Sequence, residues 1–277
     1  MLSKRLMNKK PSAVAKVALG MLPFIATLIV YMWFSDIRLE ANPSDKLMPS
    51  LSTMGDAINR MALVPSKRSG EYLLLVDTLA SLNRLLLGVF ISALIGLTFG
   101  ILNGAIPLVR AKLSPYVTAL SLIPPMAILP ILFIVFGLGE VSKVMLIVIG
   151  ITPFLIRDLQ ARTLELPKEQ LIKAQTIGAN SWQVIVRVIL PQIMPRLLVA
   201  VRLSLGTAWL FLIAAEAIAS TEGLGYRIFL VRRYLSMDVI LPYVVWIAIL
   251  AFLLDWLLRK LSSRLYPWFQ AQSGDKP

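Results

Sequence analysis

The sequence holds 277 residues, of which 57% are hydrophobic and only 16% charged. Soluble domains usually carry roughly 45–50% apolar and about 25% charged residues, so this composition excludes a water-soluble fold and points to an integral membrane protein. The net charge of +13 comes as short basic clusters between apolar runs, which argues against a nucleic-acid surface, and the lack of Cys and His excludes disulfides, zinc centres, thiol nucleophiles and imidazole bases.

Residues 1–16 are a basic tail with Lys4, Arg5, Lys9, Lys10 and Lys16. The apolar run Val17–Phe34 ends in Tyr31-Met32-Trp33-Phe34 with no small-residue cleavage site behind it, so it reads as a retained anchor rather than a cleaved signal. Residues 35–84 form a long loop with the turn cluster Asn42-Pro43-Ser44-Asp45. Residues 1–16, 17–71, 72–265 and 266–277 then divide the chain into tail, first helix with its loop, core and second tail.

Further spans are expected at Leu85–Ile106, Tyr116–Leu138, Val144–Ile156, Leu197–Ala219 and Val239–Leu258, the fourth borrowing Glu140–Lys143 to reach across. Continuous apolarity without alternation predicts helices, not a barrel. The fold class is therefore all-α, a polytopic membrane bundle of about six transmembrane helices. In the second span Gly88, Ser92, Gly96, Gly100 and Gly104 place a small residue every fourth position, a stripe for close helix packing. Pro124, Pro125 and Pro130 interrupt the third. Such a break marks either a span lining a transport path, with Pro124 and Pro125 on it, or a kinked core helix.

Glu216 is the one acid well inside an apolar run, and two roles stand for it: lining or gating a path, or structural hydrogen bonding near a hydrated interface. Arg202 is placed to snorkel, and Asp255 and Arg259 form an i,i+4 pair at a helix end. With the N-terminus inside, the inner segments carry 17 Lys and Arg against 10 outside, which places both termini and residues 157–196 in the cytoplasm.

Within 157–196, Pro167-Lys168-Glu169-Gln170 opens a short helix and Gly178 closes it. Asn180 and Gln183 have capping-box spacing for a second helix, on which Trp182, Ile185, Val186 and Ile189 share a face until Pro191 stops it. Ala174, Gly178, Ala179, Trp182 and Val188-Ile189-Leu190-Pro191 in this register resemble the "EAA" loop of the inner-membrane permeases of bacterial ABC importers. Ile172 and Lys173 stand where that pattern has Glu and its first Ala, so the acidic handle is missing. Ile123-Pro124-Pro125, Phe136-Gly137-Leu138-Gly139-Glu140, Ala214-Ala215-Glu216 and Glu222-Gly223-Leu224-Gly225-Tyr226 are similar to the nitrate/sulfonate/taurine branch.

The resemblance covers about residues 72 to 265 and implies a MetI-like core. It further implies a second permease copy, ATP-binding cassette ATPase subunits docked on the loop, and a periplasmic solute-binding protein. No cofactor is expected in this chain: there is no G-x-x-x-x-G-K-[ST] loop, so ATP belongs on the partner. The implied cargo is a small polar solute, either a nitrate-, sulfonate- or taurine-like anion or a urea- or guanidine-like nitrogen compound. An ion-coupled secondary transporter would want more buried acids and inverted repeats, and a membrane enzyme would want His, Cys or paired carboxylates.

The basic-residue count generates a topology test. Single cysteines introduced at Ser50 and Ser181 into this Cys-free chain are expected to react with impermeant thiol reagents from opposite faces of the membrane. Labelling of both from one face would overturn the six-span arrangement.

Overall fold

A computed structural model describes residues 11–43, 45–67 and 70–269. Lys4, Arg5, Lys9 and Lys10, Ser44 of the turn cluster, and the tail beyond residue 269 lie outside the described residues. Among the described residues the regular structure is entirely helical.

Helix α1 (Ala13–Ala41) is opened by Ser12, whose hydroxyl accepts from the Ala15 amide. At about 1.5 Å per residue it is long enough to cross a hydrocarbon core of about 30 Å. Its apolar stretch is unburied. Two side-chain bonds tie it to the following loop, from Tyr31 Oη to the Pro49 carbonyl (2.7 Å) and from Ser35 Oγ to that of Met48 (2.9 Å). In the same loop, the Leu47 amide and the Arg38 guanidinium hold the Asp45 carboxyl below its ordinary range. Helix α2 (Leu51–Ala62) starts at the Ser50 cap and lies between α1 and the last helix.

The centre of the bundle is α3 (Leu73–Ala105) packed along α6 (Glu140–Leu164). The small-residue stripe is the seam. A Cβ added at Gly88, Gly96 or Gly100 would lie 2.9, 2.7 or 2.6 Å from a side-chain atom of Ile147, Leu155 or Leu159. Only a residue without Cβ lets α6 approach this closely. Leu85, Leu146, Ile147, Ile151, Leu155 and Leu159 fill the seam at 0–1% exposure.

Between them run α4 (Pro107–Ser121) and α5 (Pro125–Phe136), bent by 95° at a short break. The expected third span is thus a broken one. Pro124 is extended (φ −62°, ψ 118°) and Pro125 restarts the chain as the first residue of α5. At 12 residues, α5 spans about 18 Å and cannot cross a membrane alone.

After α6 come α7 (Lys168–Thr176), α8 (Ser181–Val184), a π-helical turn at Ile185–Ile189 and α9 (Leu190–Ala219). Pro191 does not stop a helix, contrary to expectation: Ser181 to Ala219 is one continuous helical span. The wide turn explains this. The Leu190 amide bonds to the Ile185 carbonyl, five residues back, which opens the ladder where the proline ring would otherwise clash. The turn also divides the expected apolar face: Ile185 and Ile189 are buried, while Trp182 and Val186 are exposed.

Helices α10 (Leu224–Arg232) and α11 (Met237–Leu265) complete the fold. Arg202 does not snorkel but forks onto Asp255, with Nε–Oδ1 2.8 Å and Nη2–Oδ2 3.2 Å. Arg259 shares the same carboxylate at 3.1 Å. Among the described residues five helices are long and apolar enough to span, or six if the bent pair counts as one. The loops drawn from hydropathy shrink accordingly. Residues 35–84 contain α2 and the start of α3, and 157–196 is helical except at 165–167 and 177–180.

Gly100→Leu is expected to lower the thermal unfolding midpoint of the detergent-solubilised protein clearly, an overpacking cost of about 1–3 kcal/mol. Gly206→Ala, where nothing lies within 4 Å, should leave it unchanged or slightly raised.

Candidate functional site

Three places carry the residues singled out by the sequence, and the bundle keeps them apart. The first is the α7–α8 element. Gly178 is at φ +94°, a conformation that side chains with a Cβ adopt poorly. Its amide bonds to the Gln175 carbonyl (2.9 Å), and that of Ala179 to the Ala174 carbonyl (3.1 Å), the paired bonds of a Schellman C-cap. Asn180 and Gln183 then cap each other reciprocally at 2.8 and 2.9 Å. Ala174, Ala179 and Leu190 pack against the core, and Gln192 Nε2 donates to Gln170 Oε1 (3.0 Å), tying α7 to α9. Ile172, Ile177 and Trp182 point the other way, 59%, 79% and 67% exposed. A locally rigid element thus presents an uncovered apolar face.

The second place is Glu216, near the far end of α9. It is fully buried rather than hydrated. Arg84, itself 3% exposed, donates Nη1 to Glu216 Oε1 (2.8 Å) and to the Glu222 carbonyl (3.0 Å). The same guanidinium forks onto Glu140 at the start of α6, where Lys143 Nζ also reaches it at 2.7 Å. Ser81 Oγ donates to Glu216 Oε1 (2.8 Å) while accepting from the Leu224 amide (2.8 Å), and the Gly225 amide donates to Glu216 Oε2 (2.8 Å). The helix break after Ala219 therefore frees amides that the carboxylate and its neighbours take up.

Gly223 stands at φ +122°, and a Cβ there would fall 2.5 Å from the Glu216 carboxyl carbon. Beside this group, buried Asp77 accepts from the Gly223 amide (3.0 Å), Arg227 Nε (2.7 Å) and Tyr243 Oη (3.0 Å). Hydropathy left Asp77, Ser81 and Arg84 in a loop because the apolar run starts at Leu85. The signal was nevertheless there: positions 77, 81 and 84 are spaced four and three apart, one stripe of a helix.

The third place is a cavity of about 820 Å³ at the α4–α5 break, walled by α4, α5, α6 and α9. Pro125 lines it. Pro124 caps α5 beside it, and Glu216 is not on its wall. Most of the lining is apolar, with Ser121, Thr152, Arg157, Asp158 and Thr207 as polar members.

Removing one partner from a desolvated ion pair leaves the other charge stranded. Glu216→Ala is therefore expected to destabilise the protein by about 3–5 kcal/mol. Glu216→Gln loses the same charge but keeps the side-chain volume and an acceptor for Ser81 and Gly225, and should cost less. Thermal unfolding in detergent ranks the two, and equal midpoints would deny the cluster its structural role.

Residues 88–266 match the family described as the inner membrane component of binding-protein-dependent transport systems. The chain is 40% identical over 189 residues to the taurine transport system permease protein TauC of Escherichia coli K12, covering 68% of this chain and 69% of that one. It is 33% identical over 201 residues to a putative aliphatic sulfonates permease, SsuC, of Bacillus subtilis, covering 70% of each. To the bicarbonate permease CmpB of Synechococcus elongatus it is 30% identical, over 67% and 70% of the two chains. A chain of the MetNI methionine ABC transporter in inward-facing form superposes with TM-score 0.62 at 23% identity, over 72% of this chain and 98% of that one, which shows the shared fold. The chain belongs to the binding-protein-dependent transport permeases, a multi-pass membrane subunit of an ABC importer and not an enzyme.

Proposed function

We propose that this chain lines the translocation path for a small anionic solute, of the sulfonate or bicarbonate kind, and docks its ATPase through α7–α8. The observation that supports the docking role is the uncovered face of Ile172, Ile177 and Trp182 on an element joined without a break to α9. A short helix pair seated in a groove of a partner transmits a rigid-body displacement, and α9 carries it along the span. With Ile172 and Lys173 at the positions of the acidic handle, docking rests on apolar contact and a basic charge. ATP is bound by the partner subunit, a solute-binding protein delivers cargo from the far side, and a second copy of this chain completes the path.

The excess of basic residues near α7 and the tails supports a cytoplasmic position for that end of the bundle. The solutes named for the taurine, sulfonate and bicarbonate relatives favour an anion over a urea-like compound. Pro125, on the cavity wall, belongs to the path, and Pro124 sets the break. Glu216 stands off it and holds the Glu222–Gly225 turn in place.

The test is ATP-driven uptake of taurine, ethanesulfonate and bicarbonate by proteoliposomes holding the permease with its ATPase, supplied with loaded binding protein. Gly178→Val is expected to abolish uptake while the protein stays inserted, because a β-branched residue at positive φ costs about 1–2 kcal/mol and misplaces the docking face. Normal uptake with normal ATPase co-purification in that variant would sink the docking role. Failure of the wild type to take up any of the three would sink the solute class.

A further inference from the structure

We propose that the cavity at the α4–α5 break holds a binding site for a small oxyanion, with the Arg157 guanidinium as its charge and the hydroxyls of Thr152 and Thr207 as neutral donors. The site rests on the reading of this chain as an anion permease and names the residues that would meet the solute inside it. Three observations carry it.

First, the space fits. A volume of about 820 Å³ is within the roughly 300–1,000 Å³ of small-molecule sites, and its walls are mostly apolar with a few convergent polar groups. Second, Arg157 is uncommitted. Among the described residues no carboxylate lies within ion-pair distance of it, and its one recorded side-chain bond runs from Nη1 to Ser121 Oγ (2.9 Å). Its neighbour on the wall, Asp158, is turned to Arg162 at 3.6 Å. Arg157 is exposed and is the one arginine lining this cavity among the described residues.

Third, Thr152 lines the same cavity at 8% exposure, and its Oγ1 has no hydrogen-bond partner. A buried hydroxyl without a partner costs free energy and calls for one. The usual remedy for a helical threonine, a bond to the carbonyl four residues back, is taken by Thr78, Thr98, Thr163 and Thr176 but not by Thr152. The break is what leaves room here. Because α5 turns away at 95°, the cavity opens beside the enclosed Thr152, and Ser121 at the end of α4 is brought to Arg157.

A sulfonate, bicarbonate or phosphate-like oxyanion satisfies this set: a planar fork for two oxygens and hydroxyls for the remainder. Two sources offer that chemistry, a solute in transit and the phosphate of an anionic lipid.

The absence of native cysteine gives a direct probe that needs neither ATP nor partner subunits. Thr207→Cys, on the exposed part of the wall, and Thr152→Cys, deeper in, are treated with 2-sulfonatoethyl methanethiosulfonate, an ethanesulfonate. The cationic trimethylammonium analogue serves as the comparison. The anionic reagent is expected to be favoured, and adding Arg157→Gln should shrink the ratio of rates about tenfold, with Arg157→Lys recovering part of it. Free ethanesulfonate should slow the modification. In nanodiscs the preference should be the same in phosphatidylcholine alone and with phosphatidylglycerol added. A ratio indifferent to Arg157 at both positions would overturn the site, and a preference abolished by phosphatidylglycerol would reassign it to lipid phosphate. Uptake in proteoliposomes reads the transport role separately, so loss of either conclusion is seen on its own.

Discussion

Arg84 and Glu216 meet in a part of the bundle where neither has water. A charge taken out of water is tolerated only when its partner and its remaining hydrogen bonds are all in place. That requirement organises the far end of the molecule. Glu216 needs the Ser81 hydroxyl and the Gly225 amide, and Arg84 needs Glu140 and the Glu222 carbonyl. The four segments that supply these groups, α3, the start of α6, the end of α9 and the entry to α10, are thereby set in one register. Glycine at 223 and 225 follows from the same constraint, since any Cβ there would press on Glu216 or on the Ile213 carbonyl.

The seam between α3 and α6 is the second constraint, and it is one of shape rather than charge. In lipid, association of spans is not driven by apolar burial, so close backbone approach and dispersion contacts must supply it. A small residue at about every turn of α3 from Gly88 to Gly104 permits that approach. The outcome is a stiff central pair, against which α9 packs with the Phe211 ring seated on Gly150.

Between these rigid parts the α4–α5 break is where the architecture opens. Helices crossing a membrane satisfy their own backbone groups, so a 95° bend in mid-span is tolerated only where protein or a cavity surrounds the irregular backbone. Here it borders the cavity that holds Pro125, Thr152 and Arg157. The charged cluster is thus an anchor, the seam a strut and the break a chamber, and the uncovered α7–α8 face lies at the opposite end from the anchor.

Much of this was legible in the residues. Apolar runs announced the spans, glycine spacing announced the seam, and the caps at Gly178 and Asn180 were readable because they depend only on neighbours within five residues. Local signals fail when a partner lies far away in the chain. Asp77, Ser81 and Arg84 looked like loop because polar residues lower hydropathy, and only their partners more than 130 residues distant make them part of a span. Arg202 reads as a snorkelling side chain, yet Asp255 stands opposite it, and Pro191 reads as a helix end, yet the π turn absorbs it. The sequence by itself determined the membrane setting, the helical class and the local geometry of the loop, since hydropathy and capping are short-range properties. Which charges neutralise each other, how sharply the third span breaks and which hydroxyl is left without a partner were decided by tertiary packing, because only the assembled bundle sets which groups lose water together.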